Sequence, residues 1–277
     1  MQSSIREKEI SMTQLLHADV TDKAWRAYYN VYNAHGHNYP EAFYEEMMHL
    51  EFEALGTPCA TQVEYFVTYK DVLVGKHITD TEIGGCVVLE YKVVPALLPR
   101  HQAQLISNLK ISGKPVGLLL NFGSLKPEGL RRVLTEQGRT PASPWNPGPP
   151  DPDLLYPDLT LELRRGLQEI YRELGPGFVN RVYVNATRVE LRARDISFRR
   201  VRKLEVVHRG QPIGEVTFQH FIVDEKVVLA PVAVTEISQS EQNKVRTIMR
   251  RQGLRLGMIA NFQGEKLDMK YVRNKGG

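Results

Sequence analysis

The stretch Lys76–Val94, "KHITDTEIGGCVVLEYKVV", decides how the chain is read. Its apolar run "CVVL" has the length and composition of the inside of a buried strand. Yet the run ends in Glu90, and Lys92 follows two residues on. Side chains alternate between the faces of a strand, so Glu90 and Lys92 point the same way. Upstream, "VLVGKHIT" (72–79) reads as a neighbouring strand, and antiparallel pairing brings Asp80 beside Glu90. Two carboxylates meeting at a strand end can hold a hard divalent cation, Mg²⁺ or Mn²⁺, through oxygen. A lysine beside them can orient a water or offset charge on a phosphate oxygen. Taken alone, Glu90 and Lys92 also fit a plain same-face ion pair, and Glu82 reads as a turn carboxylate.

The surroundings of this stretch occur twice. "GKPVGLLLNFGSLK" from Gly113 matches "GLRLGMIANFQGEK" from Gly253, so that Gly117 and Gly257, Asn121 and Asn261, Phe122 and Phe262, and Lys126 and Lys266 share one offset. At the same offset "CVVLEYKVV" falls on "KVVLAPVAV", and "YPEAFYEEMMHLEFEALG" matches "FVNRVYVNATRVELRARD" one residue short of it. This is a tandem duplication of roughly a hundred residues per copy. Between the copies lies "GRTPASPWNPGPPDPDLLYP" (138–157), whose seven prolines bar a core helix or central strand and make a semi-rigid linker. The expected domains are 1–137, the linker 138–157, and 158–277.

Periodicity predicts the same order in both copies. In the first, helices cover about 22–34, capped by Thr21, and 40–55; strands cover 61–70, 72–79 and 85–93; a helix at 99–111, a strand at 115–122 and a last helix at 127–134 follow. In the second, helices fall at 159–174, 178–193 and 236–252, and strands at 197–208, 213–223, 226–234 and 255–262. The aromatic cluster "WRAYYNVY" (Trp25–Tyr32) has helical spacing and reads as core.

The 277 residues, 42% apolar, suffice for two buried cores. Two cysteines, Cys59 and Cys86, form neither a metal spacing nor a disulfide framework. There is no run of 18 apolar residues and no signal-peptide core, so a soluble, cytoplasmic protein without a membrane partner is expected. The net charge is +4, but unevenly spread: 13 basic against 16 acidic residues up to position 138, and 23 against 16 beyond it. A basic back half favours a phosphate-bearing partner.

Asp80-x9-Glu90-x-Lys92 resembles the PD-(D/E)XK nuclease signature. "YPEAFYEEMMHLEF", the aspartate with "LEYK", and "HQAQLISNLKISGKPVGLLLNF" together look like the GxxExxY family, a bacterial branch of that superfamily. The resemblance covers most of residues 10–135. It implies two tandem α/β restriction-endonuclease-like domains, each a mixed sheet flanked by helices. Glu41 and Tyr44 fall on the Glu and Tyr of the naming motif, which makes Glu41 a third candidate metal ligand beside Asp80 and Glu90. Lys92 would orient the attacking water, and Gln104 and Lys110, on the following helix, would position the phosphate. The implied activity is Mg²⁺- or Mn²⁺-dependent phosphodiester hydrolysis leaving a 5′-phosphate. Two positions depart from the pattern: the motif glycine is Asn38, and the usual tyrosine of the later helix is replaced, with Asn108 nearby. His101, in the first turn of that helix, reads as structural.

In the second copy Asp80 becomes His220, Glu90 Ala230, Lys92 Val232, Glu41 Asn180, Gln104 Lys244 and Lys110 Arg250, while Tyr183 keeps the tyrosine. The strand pattern therefore does not need the polar groups, and the second copy reads as a degenerate pseudo-nuclease. It carries the basic runs "LRARDISFRRVRKLEVVHR" and "NKVRTIMRRQGLR". Arg200, Arg202, Lys203, Lys244, Arg246, Arg250 and Arg251 become candidate nucleic-acid contacts, with DNA ahead of RNA. A solvated charged face and a dock for the acidic first copy are the alternatives. The rival to an enzyme is a non-catalytic nucleic-acid-binding or assembly subunit in a defence or repair complex.

Overall fold

The computed structural model describes residues 15–134 and 148–274. Two helices open the first repeat, α1 (Ala18–His35) and α2 (Glu41–Ala54). Strands β1 (Cys59–Tyr69), β2 (Val72–Ile83) and β3 (Val87–Lys92), helix α3 (Pro99–Ser112), and strands β4 (Val116–Asn121) and β5 (Glu128–Val133) follow. The second repeat runs α4 (Pro157–Leu174), α5 (Asn180–Ala193), β6 (Phe198–His208), β7 (Gln211–Val223), β8 (Val227–Val232), α6 (Gln239–Gln252), β9 (Leu256–Asn261) and β10 (Asp268–Arg273). The strands form two five-stranded sheets, ordered β1-β2-β3-β4-β5 and β10-β9-β8-β7-β6. In each, the middle strand pairs antiparallel with the strand before it and parallel with the one after. The two mixed sheets with flanking helices are the expected fold class.

Two expectations need correction. Residues 127–134 form no helix: β5 pairs antiparallel with β4, from Val116↔Val133 to Asn121↔Glu128. The pattern "PEGLRRVL" suits either structure, but β4 would otherwise leave a row of backbone groups unpaired. Gly129 also meets the ring of Trp25, which a Cβ would approach to 2.7 Å. Nor does Thr21 cap α1. The helix begins earlier, at Ala18, and the buried Thr21 hydroxyl donates to the Ala18 carbonyl at 3.2 Å. Of the linker 138–157, positions up to 147 lie outside the described residues, and 148–156 contain no helix or strand.

The chain divides into two compact units. One joins the chain up to Tyr65 with the segment from Ile78 through the end of the first half; the other joins Phe66–His77 with the second half. The second unit thus takes in the tip of the β1–β2 hairpin. There Tyr69 donates to Glu190 at 2.7 Å, and Lys70 pairs with Glu190 at 2.7 Å and Glu169 at 2.9 Å. Arg194 closes the network onto Glu190 and Glu169.

The residues shared by the two repeats are scaffold. A Cβ on Gly117 would stand 2.7 Å from Leu105 of α3, and one on Gly257 would run into Val245 of α6, so each glycine lets its crossover helix lie close on the sheet. Asn121, fully buried, accepts from the Val94 and Gly123 amides at 3.1 and 2.9 Å and donates to the Val94 carbonyl at 2.9 Å. Asn261 repeats this with Val234 and Gln263. Each asparagine ties the end of one parallel strand to the chain leaving its neighbour. Tyr44 stacks on Phe122 with ring centroids 4.1 Å apart, and Tyr183 on Phe262 at 4.4 Å. Their hydroxyls donate to Gly36 and Gly175, which pins the turn between the opening helices.

Asn121→Ala leaves several buried backbone groups without partners, each costing about 1–3 kcal/mol. Urea denaturation should show a loss of at least that size, and an unchanged midpoint would contradict the clamp.

Candidate active site

Alternation along β3 sends Val87, Leu89 and Tyr91 into the core beneath α1 and α2, and Val88 into the cluster with Leu105 and Leu109 of α3. Glu90 and Lys92 share the Val88 face, so they lie under α3. Glu90 is 1% exposed. Its Oε1 accepts from Gln104 Nε2 at 2.6 Å and from the Lys92 ammonium, and its Oε2 from Asn108 Nδ2 at 2.6 Å. Gln104 and Asn108 are one helical turn apart and reach down together.

Asp80 enters from β2. The β2–β3 register runs Ile83↔Val87, Glu82↔Val88 and Thr81↔Leu89, and Asp80, next along β2, acts electrostatically on Glu90. Its Oδ2 accepts from the Tyr91 amide at 3.0 Å. Glu41 opens α2, where a helix N-terminus favours negative charge. It is exposed, yet within the electrostatic reach of Lys92, Asp80 and Glu90.

Burial, followed by the charge of Asp80, pushes the Glu90 carboxyl up to about 7, against the pull of Lys92. Burial likewise raises Glu41, with Asp80 adding to it and Lys92 opposing. For Lys92 burial acts downward, but Glu90, Glu41 and Asp80 outweigh it and hold the amine above its ordinary value, so it stays charged. A carboxyl whose folded pKa exceeds its unfolded one costs stability as pH rises between the two values, here from about 4.5 to about 7. At neutral pH ionising Glu90 therefore costs stability, while the raised Lys92 amine contributes in the opposite sense.

Among the described residues no three His, Cys, Asp or Glu side chains converge as a ready-made metal cage. The donors present fit a divalent cation of another kind. They are all hard oxygen, and Glu90 Oε2, which accepts from Asn108 alone among the described residues, keeps a second lone pair. Mg²⁺ commonly rests on one or two carboxylates and completes its shell with water and substrate phosphate.

Lys110 does not join this group. At about 100° per residue it points well away from the Gln104–Asn108 face. It is exposed, and its amine is lowered by desolvation with no carboxylate opposing. Asn108, passed over in the sequence as a substitute for a tyrosine, makes the contact instead, and its i,i+4 spacing from Gln104 was the available signal. His101 is structural: its Nδ1 accepts from the Leu98 amide at 3.1 Å, and burial, aided by Arg100 and Lys92, lowers its pKa. Glu82 is no turn residue but a buried strand carboxylate, accepting from Thr79 at 3.1 Å and Tyr65 at 2.5 Å.

The matching place in the second unit is closed by apolar packing. Ala230 and Val232 lie in one buried cluster with Val201, Val245 and Met249. His220 is buried, and its pKa falls to about 4 through burial, so it stays neutral at pH 7. Glu241 pairs with Lys244 at 2.6 Å.

The basic residues of this unit do not share one surface. Arg200 pairs with Phe221 across β6–β7, and its guanidinium lies 5.9 Å from that ring's centroid, on the sheet face away from the α6 cluster. Arg202 sits at the bulge after Val201. Lys203 is paired with Glu215 at 2.5 Å. Lys244, Arg246, Arg250 and Arg251 belong to α6, which packs on the opposite face; Arg246 is held by Asn243, and Arg251 by the Glu205 carbonyl. Sequence runs also missed Arg181 and Arg188, seven apart on α5 and on its one face.

No helix among the described residues is long and apolar enough to cross a membrane. No curated protein matches the chain. A solved structure titled "Crystal structure of SSO0001" is 18% identical over 45% of this chain and 72% of its own, with a TM-score of 0.25, and carries no argument. A family model does match, and it matches twice, over residues 18–133 and 157–274, covering well over half of the sequence. The chain belongs to the PD-(D/E)XK nuclease superfamily.

Proposed function

We propose that the first unit is a divalent-metal-dependent nuclease that hydrolyses nucleic-acid phosphodiesters, and that the second is a degenerate copy serving to bind substrate. The observation that carries this reading is Glu90. It is a carboxylate buried in a central strand, facing Asp80 and held by Lys92, Gln104 and Asn108. A fold that closes the equivalent place with Ala230 and Val232 has no structural need of it.

Asp80 and Glu90, with Glu41 at the rim, would hold Mg²⁺ or Mn²⁺. Such an ion, when bound, supplies Lewis acidity toward the phosphate and makes hydroxide accessible near neutral pH. The protein's own residues do the positioning. Gln104 and Asn108 fix both oxygens of Glu90, so that the carboxylate enters the site in one orientation. Lys92, kept charged by its three acidic neighbours, orients the attacking water and offsets charge building on the phosphate oxygens. Gln104, beside Glu90, would share in holding the phosphate.

With Mg²⁺ or Mn²⁺ and mixed DNA and RNA substrates, wild type should cleave, and Glu90→Ala and Lys92→Ala should each lose at least about 100-fold in rate. Cleavage that survives Glu90→Ala would overturn the assignment. Binding without any cleavage would favour a nucleic-acid-binding module.

Asn108→Ala should cost about 10- to 100-fold by freeing the Glu90 carboxylate, whereas Lys110→Ala should leave the rate unchanged. The reverse ranking would restore the lysine to the site.

At subsaturating Mn²⁺ the cleavage rate should climb with pH toward about 7 and then level, because the ion competes with the proton on Glu90. A profile flat between pH 5 and 8 would show that Glu90 does not titrate in this range.

A further inference from the structure

Four arginines in the second unit have no counter-charge among the described residues. Arg181 and Arg188 lie on α5, and Arg200 and Arg202 on β6. Burial, together with the repulsion of the other three, lowers the pKa of Arg200, and no carboxylate offsets them. The Nε atoms of Arg188 and Arg200 are shut off from water and donate to nothing among the described residues. Several other basic side chains of this unit do find acids: Arg194 with Glu190, Arg199 with Glu225, Lys203 with Glu215. Buried, unpartnered guanidinium donors beside two further positive charges are costly unless something anionic completes them.

The fold does not require them. By the alignment of the two repeats, Arg181, Arg188, Arg200 and Arg202 stand where the first copy has Ala42, His49, Thr61 and Val63. The cluster is a property of the copy that lost its carboxylates, and it sits on the sheet face away from the place where they would have been. Guanidinium groups bind phosphate oxygens through two parallel donors, a geometry that a lysine cluster would not impose. The charges are also strung out. Arg181 and Arg188 are seven residues apart, about 10 Å along the helix axis, a span of several phosphates at about 3.4 Å per nucleotide along one strand. Arg181 further lines a cavity of about 430 Å³ with Lys76, Val182 and Asn185, which offers room for the organic part of such a ligand.

We propose that the α5–β6 face of the second unit, through Arg181, Arg188, Arg200 and Arg202, is the nucleic-acid backbone-binding surface of this protein, and that the basic residues of α6 are not. This rests on the reading that the substrate is a nucleic acid, and it names the surface that holds it.

The test uses the full chain carrying Glu90→Ala, so that substrate survives. Binding of fluorescently labelled single- and double-stranded DNA is followed by anisotropy over a range of KCl. Arg181→Gln with Arg202→Gln, both exposed and safe for the fold, should weaken binding at least about tenfold at low salt. The slope of log affinity against log salt should shrink by about two, near 0.9 for each phosphate no longer neutralised. Lys244→Gln with Arg250→Gln should change neither. Arg200→Gln, checked for folding by circular dichroism, should add to the first loss. If the α6 pair carries the salt slope, or the α5–β6 pair changes nothing, or wild type binds no DNA, this inference falls. If polyglutamate displaces the DNA as well as an unlabelled DNA of equal charge does, the face recognises acidic protein and the inference also falls. Arginine-dependent binding by a protein that never cleaves would leave this inference standing and defeat the nuclease reading. Glu90-dependent cleavage indifferent to the arginines would do the opposite.

Discussion

Because β3 and β4 run parallel, the chain between them must travel back along the sheet, and the helix that makes the return lies directly over Glu90. The rest follows from that constraint. The crossover helix delivers Gln104 and Asn108 to the carboxylate. Gly117 allows it to approach closely, and Asn121 clasps the far end of the parallel pair. The antiparallel approach of β2 on the other side brings Asp80 onto the Tyr91 amide, within electrostatic reach of Glu90. A buried acid is expensive to ionise, and here the surroundings set the expense against three hydrogen-bond donors, one of them an ammonium.

The two repeats separate what the fold needs from what the chemistry needs. The glycine, the asparagine and the stacked tyrosine–phenylalanine pair occur in both, with the same partners in each. The tyrosine of the sequence motif belongs with this scaffold, since its hydroxyl pins a turn in both copies. The polar cluster occurs once. Where it is missing, alanine and valine fill the space within an apolar cluster.

Most of the strands and the approach of Asp80 to Glu90 and Lys92 were legible because they follow from period-two alternation, from one hairpin and from a repeat, whereas Gln104 and the mixed sheets came from the family resemblance. What escaped depended on three-dimensional neighbours. The stretch 127–134 has a helix-compatible pattern and becomes β5 only because β4 needs an outer partner. Lys110 and Asn108 are two residues apart on one helix, and rotation about its axis, not proximity in sequence, decides which reaches Glu90. The basic residues were gathered as runs along the chain, whereas the sheet sends them to opposite faces and joins Arg200 to Arg181 and Arg188, which lie outside those runs.

The account stands on one working site in a duplicated chain, and the stoichiometry of metal binding addresses that most directly. Calorimetric titration of the full chain with Mn²⁺ at pH 7.5, roughly half a unit above the raised carboxyl, should show binding confined to the first-repeat site and abolished by Glu90→Ala. Equal sites in both repeats, or binding undiminished in Glu90→Ala, would contradict it.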